Sequence, residues 1–237
     1  MKIAIIGLGF VGLSLTSVLA SRGNNVIGID VDVEKCKKIR GGISPFFEPD
    51  LEKMLRIGLK KKLTISDDFS LVKDCDIIFV AVGTPQKSNG AIELSMIKKA
   101  VTSIGRILAK SKKSQIVLIK STITPGTMRN IILPILEKRS GKKAGKEFGL
   151  ISNPEFLQES SAIKNTKFPH VIVLGGYQTK FMKKAKILFY KLVQNVPITL
   201  FPLDANTLVS DNPTKPKPIT AIFILSSKFL ILKIMPS

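Results

Sequence analysis

Gly7-Leu8-Gly9-Phe10-Val11-Gly12 is the stretch of this 237-residue chain whose residue types and spacing point most directly to chemistry. Each glycine has a separate job. Gly7 permits a tight turn, Gly9 lets backbone approach a pyrophosphate, and Gly12 lets a helix pack close to a strand. A helix opening at this point offers unpaired N–H groups and a partial positive charge to phosphates. Asp30 stands eighteen residues past Gly12, at the end of a second apolar run. A carboxylate there can accept both hydroxyl hydrogens of a ribose and repels a 2′-phosphate, so the pattern predicts NAD rather than NADP. Gly7, Gly9, Phe10, Val11, Gly12 and Asp30 are therefore candidate cofactor-binding residues. Lys35, five residues beyond Asp30, is either a neighbour of the adenosine or an ordinary surface lysine.

The elements that must position these groups alternate along the chain. Lys2–Ile6 is β-branched and apolar, as a strand buried on both faces of a parallel sheet should be, and Phe10–Arg22 has helical apolar spacing up to Gly23. Further strands are predicted at Val26–Ile29, Leu63–Ile65, Asp76–Val82, Ile116–Ile119, Phe148–Ile151, Val171–Leu174 and Pro197–Leu200. Helices are predicted at Val33–Arg40, Asp50–Leu59, Leu94–Ala109, Thr127–Lys138 and Thr179–Val193. So regular an alternation implies an α/β fold, a doubly wound Rossmann-type sheet that is mostly parallel. Near residue 203 the grammar changes. Asp211–Pro218 packs three prolines into eight positions, excluding helix or central strand, and Ile219–Leu232 is almost wholly apolar but short of the ~20 residues that span a bilayer. We expect residues 1–203 to form the domain and residues 204–237 an irregular tail, either packed on the domain or a sticky end.

The formal charge of +20 comes from 37 basic against 17 acidic residues, and only six of the basic ones are arginine. Lysines along amphipathic helices form a solvated outer face or meet anionic partners. The few aromatics lie mostly in apolar runs, so no specific nucleic-acid site is expected. Cys36 and Cys75 cannot build a disulfide framework and have no metal-ligand spacing, so no metal is expected. The apolar start Met1–Ala20 carries three glycines and no small-residue cleavage site, which makes the cytoplasm the default compartment.

Four more blocks accompany the glycine turn: Gly42-Ile43-Ser44-Pro45-Phe46-Phe47-Glu48-Pro49; Val82-Gly83-Thr84-Pro85 with Asn89-Gly90 and Glu93-Leu94-Ser95; Lys120-Ser121-Thr122 with Pro125-Gly126-Thr127; and Ser152-Asn153-Pro154-Glu155-Phe156-Leu157-Gln158-Glu159. In this order they resemble the UDP-glucose/GDP-mannose dehydrogenases, which oxidise the C6 alcohol of a nucleotide sugar to a carboxylate in two NAD-dependent steps. The resemblance implies that Val11, Asp30, Lys35, Thr84, Thr122 and Glu159 contact NAD. It implies that Glu155 assists hydrolysis of a thioester through a water, that Thr122 positions that water or the substrate oxygen, and that Glu155, Phe156, Leu157, Gln158 and Glu159 face the substrate. Read without the family, Asn153-Pro154-Glu155 is a loop whose acid caps a helix over Leu157–Ile163.

The chain departs from the family pattern at several points. Asp50 and Ser160 stand where the family usually has glycine, Thr124 replaces a proline, and an Asp-Arg pair is missing where Pro169-His170 precede Val171. His170, the single histidine, reads as a loop residue. The family's nucleophilic cysteine motif finds no match, and both cysteines read as bystanders, Cys75 with acids beside it that raise its pKa. The resemblance fades between Pro202 and Val209, as a frameshift or truncation would produce. UDP-glucose is the expected substrate class, with UDP-N-acetylmannosamine and GDP-mannose as variants. The chain by itself is expected to be inactive, and its oligomeric state is left open because the family's dimer-forming helix is not recognised. A non-catalytic NAD-binding or interaction module is the competing reading.

Overall fold

The computed structural model describes residues 1–158, 160–176, 179–192, 197–202, 220–225 and 228–233. Strands β1 (Lys2–Ile6), β2 (Asn25–Ile29), β3 (Leu63–Ser66), β4 (Ile77–Val80), β5 (Ile116–Ile119), β6 (Gly149–Ser152), β7 (Ile172–Gly176) and β8 (Ile198–Pro202) form one sheet in the order β3-β2-β1-β4-β5-β6-β7-β8. The first six strands are parallel; β7 runs antiparallel to β6, and β8 follows β7. The sheet is mostly parallel and doubly wound, as its sequence grammar requires.

Helices cover both faces. One layer is built on α1 (Phe10–Ser21), α2 (Val33–Arg40), α3 (Leu51–Leu59) and α7 (Thr179–Leu192), packed over Ile3, Ile5, Phe79 and Leu118. The other is α4 (Ser95–Lys110), α5 (Leu133–Ser140) and a 3₁₀ turn at Phe69–Asp74, packed over Ala4, Ile6, Ile78 and Val117. All four residues of β4 and of β5 are buried, because each strand lies between two helical layers. Helix α1 is buried over Gly12–Ala20, so its sequence is apolar nearly all round rather than along one stripe.

These boundaries fall within two residues of those predicted; Val193, the expected last residue of the α7 helix, lies outside the described residues. The helix predicted over Thr127–Lys138 opens instead with a π-helical turn at Met128–Ile132, and the 3₁₀ turn was not foreseen. One prediction fails in place. The helix expected over Leu157–Ile163 is α6, Ala162–Lys167, and the described residues between β6 and α6 are irregular. Its capping acid comes from far away in sequence, since Glu48 Oε1 accepts the Ile163 N–H at 3.3 Å.

Within the tail, Thr220–Leu225 (β9) and Lys228–Lys233 (β10) pair antiparallel as a separate two-stranded sheet, so the apolar run holds two paired strands where an irregular tail was expected. Residues 203–219 lie outside the described residues. No helix among the described residues is long and apolar enough to cross a membrane.

Candidate functional site

The sheet order reverses between β1 and β4, the place where an open α/β sheet leaves a crevice beyond its strand ends. The glycine turn sits there. Gly7 adopts φ +91°, which favours glycine, and its N–H donates to Ile29 O at 2.8 Å, binding the turn to β2. A Cβ on Gly12 would lie 1.8 Å from Gly7 O, so α1 passes the turn at a distance that only hydrogen permits. Gly9 is the opposite case. It caps α1, and a Cβ there would meet nothing within 4 Å.

Leu13 N–H is the first of α1 to find a backbone acceptor, Gly9 O at 2.8 Å; among the described residues the N–H groups of Gly9, Phe10, Val11 and Gly12 have none. No acidic side chain occupies the first turn. Unpaired amides around an open space at a helix N-terminus are the features a pyrophosphate needs, so the residues present fit a dinucleotide. Phe10 packs on Phe46 with ring centroids 5.5 Å apart, joining the turn to the second sequence block.

Asp30 is 7% exposed and already holds three donors. Its Oδ2 accepts the Leu8 N–H at 2.7 Å and Lys35 Nζ at 2.9 Å, and its Oδ1 accepts the Asp32 N–H at 3.1 Å. Burial alone would push its pKa up, but Lys35 and the two backbone donors outweigh burial and lower it. A carboxylate has about four lone-pair sites, so one stays open on Oδ1. The sequence alone leaves Asp30 free to accept two hydroxyls; with three donors already on it, one acceptor site stays open. Lys35 itself belongs to this pair rather than to the plain surface.

Beside the turn, Gly9, Phe10, Val11, Val82, Thr84, Thr122 and Glu155 border one cleft of about 230 Å³. These groups come from the ends of β1, β4, β5 and β6. Thr84 Oγ1 donates to Thr122 O at 2.7 Å, tying the loop after β4 to the loop after β5. Thr122 Oγ1 reaches Glu155 Oε1 at 3.5 Å. Glu155 thus borders the cleft, and α6 takes its side-chain acceptor from Glu48 and not from Glu155.

Phe156 and Leu157 border a second cleft of about 70 Å³ against α1, together with Glu155 and His170. Gln158 borders neither cleft, and Glu159 lies outside the described residues. The structure also brings in Lys120 and Asn153, which no residue-by-residue role had singled out. The available signal was a lysine ending the fully buried strand β5, where such strands otherwise read apolar.

Both cysteines are buried and border neither cleft. Burial raises the Cys36 thiol and pushes Cys75 up to about 11, the acids near Cys75 being a smaller cause than its desolvation. Among the described residues no group of three or more His, Cys, Asp or Glu side chains could hold a metal ion.

Comparison with known proteins agrees with this geometry. The family model described as "UDP-glucose/GDP-mannose dehydrogenase family, NAD binding domain" matches residues 1–193. GDP-mannose 6-dehydrogenase of Pseudomonas syringae pv. tomato is 42% identical over 179 residues, which is 75% of this chain and 41% of that protein. A UDP-glucose 6-dehydrogenase of Haloferax volcanii is 33% identical over 194 residues, 82% of this chain and 45% of that protein. A crystal structure of a ternary complex of GDP-mannose dehydrogenase from Pseudomonas aeruginosa superposes with a TM-score of 0.82 at 38% identity, covering 86% of this chain and 47% of that one. The chain therefore spans less than half the length of each of these relatives.

Proposed function

The chain belongs to the UDP-glucose/GDP-mannose dehydrogenase family, and from that premise we propose that residues 1–203 act as the NAD-holding unit of a nucleotide-sugar 6-dehydrogenase, with residues 204–237 outside the family pattern. One observation carries the reading: the open space at Gly9, ringed by unpaired amides and flanked by the Asp30–Lys35 pair. Gly9, Phe10 and Val11 would hold the pyrophosphate through their N–H groups, and Asp30 with Lys35 the adenosine ribose. Bound there, NAD supplies a hydride acceptor.

The chain's own groups then have distinct work. Thr84 and Thr122 hold two loops together at the cleft wall. Thr122 directs its hydroxyl to Glu155, so one hydroxyl and one carboxylate share the edge where a substrate oxygen would sit. A carboxylate so placed orients a water and takes its proton, the role we assign to Glu155 in thioester hydrolysis. Phe156 and Leu157, and with them Gln158 and Glu159, would flank the substrate. The relatives at 42–43% identity support GDP-mannose as the first sugar nucleotide to try and the relative at 33% supports UDP-glucose as the second.

The covalent step of the second oxidation needs a thiolate near the substrate. Two buried cysteines away from both clefts do not meet that need, so the chain by itself is proposed to bind NAD without completing the oxidation. Titration calorimetry with NAD and chromatography for the uronate product with GDP-mannose or UDP-glucose test both halves. Heat from NAD without formation of the uronate is the expected pair. Absence of NAD binding overturns the cofactor site, and steady uronate formation overturns the claim about the cysteines.

A further inference from the structure

Lys120 follows β5 directly, and its position is fixed by the backbone: its N–H and that of Ser121 both donate to Val80 O, at 2.8 and 3.1 Å. Its side chain is partly buried and borders both clefts, as does Glu155. Among the described residues its ammonium has no hydrogen-bond acceptor, and it forms none of the ion pairs within 4 Å. An ammonium that finds no partner among the described residues, in the wall of a cleft, is costly unless something sits against it.

A second unpaired group borders the same space. Asn153 is 2% exposed; its Nδ2 donates to Val173 O at 2.9 Å while its Oδ1 has no donor. Both groups line the 70 Å³ cleft, and a water needs only ~10–15 Å³ of such volume. The charged or titratable groups around Lys120 there are Glu155, Arg22 at the C-terminal cap of α1 and His170.

We propose that Lys120 is a positioning residue of the site, an ammonium set across from Glu155 so that one hydroxyl, from water or from an alcohol substrate, is held between them. The hydroxyl donates to Glu155 and accepts from Lys120, with Asn153 Oδ1 as an alternative acceptor. Such a group is oriented by two opposite charges that do not cancel by touching. Burial pushes the Lys120 pKa down to about 8, and the Glu155 charge works against that fall. The arrangement therefore changes near pH 8, when the amine loses its positive charge. The inference rests on Glu155 as a working carboxylate, but it is tested without the cofactor.

Trace acetylation across pH 6–11, read by mass spectrometry on the peptide holding Lys120, gives its titration midpoint in the unaltered chain. The expected midpoint is about 8, below the ~10.4 of a lysine side chain in a model peptide. In Glu155→Gln the midpoint should fall further, by about half a unit or more, because the opposing charge is gone. A midpoint shared with the surface lysines overturns the proposal, and so does one that Glu155→Gln leaves in place. Failure of NAD binding in the parent chain would strike the cofactor reading, and the acetylation result would still decide this one.

Discussion

Gly9 and Gly12, three positions apart in one turn, should fail in opposite ways when each receives a single methyl group. At Gly12 the new Cβ would stand 1.8 Å from Gly7 O and 3.0 Å from Gly7 C. Gly7 has little room to yield, because its own N–H is bound to β2 and it is packed so close to the end of β4 that a Cβ on it would meet Ala81 O at 2.8 Å. The helix must move away from the sheet, and overpacking against backbone belongs at the upper end of its range, about 3 kcal/mol or more. For a chain of this size that lowers the melting temperature by roughly 6–12 °C. At Gly9 the backbone angles, φ −76° and ψ −165°, suit any residue and the space is open. Gly9→Ala should cost under about 1 kcal/mol, the loss expected on placing alanine at a helix cap. Its methyl instead fills the space next to the unpaired amides, so NAD affinity should fall at least ~10-fold, or ~1.4 kcal/mol. Thermal unfolding followed by circular dichroism, beside calorimetric titration with NAD, reads both effects. Parent-like NAD affinity in Gly9→Ala refutes the cradle, and a Gly12→Ala melt equal to that of Gly9→Ala refutes the packing argument.

Three further outcomes are open to measurement. Asp30→Asn keeps the shape and drops the charge that gathers Leu8, Asp32 and Lys35, so urea unfolding at pH 7 should show a loss of about 1–3 kcal/mol. Because the folded pKa of Asp30 lies below its ordinary value, that contribution is present above ~3.9 and lost as pH falls through the folded value; the two unfolding curves should converge below pH 4. A gap unchanged at pH 3 would contradict the charge argument. Asp50→Gly and Ser160→Gly should each raise stability by about 0.5–1 kcal/mol, since these residues hold φ of 62° and 63°, and an unchanged melt for either removes the strain assigned to it. Cys36 and Cys75 should resist a chromogenic disulfide reagent at pH 8 and react on unfolding, because both are buried and burial raises both thiols, Cys75 to about 11, where only about one part in a thousand is thiolate at that pH; prompt reaction in the native chain would place a thiol at the surface.

Local spacing was enough to reveal the strands, most helices and the phosphate turn, because each depends on neighbours along the chain. A run such as Ile116–Ile119 is apolar throughout because both faces are covered, and Gly7-Leu8-Gly9 needs only its adjoining strand and helix to be recognised. The departures at Asp50 and Ser160 were visible as well, and they prove to be the two non-glycine residues with positive φ among those described. Other facts depended on groups far apart in sequence meeting in space. Glu155 stands 33 positions from the Thr122 hydroxyl that it faces, and α6 takes its cap from Glu48, 115 positions before Ile163. No periodicity in Leu157–Ile163 could have announced that exchange of acids. Lys120 shows the same division. Its place at the end of a buried strand can be read from the row of apolar residues before it, yet that it has no ion-pair partner among the described residues follows only from how β4, β5, β6 and α1 close around it. Chain-local sterics and hydrophobic periodicity are written in order along a sequence, whereas desolvation and charge pairing are set by whichever side chains folding brings together.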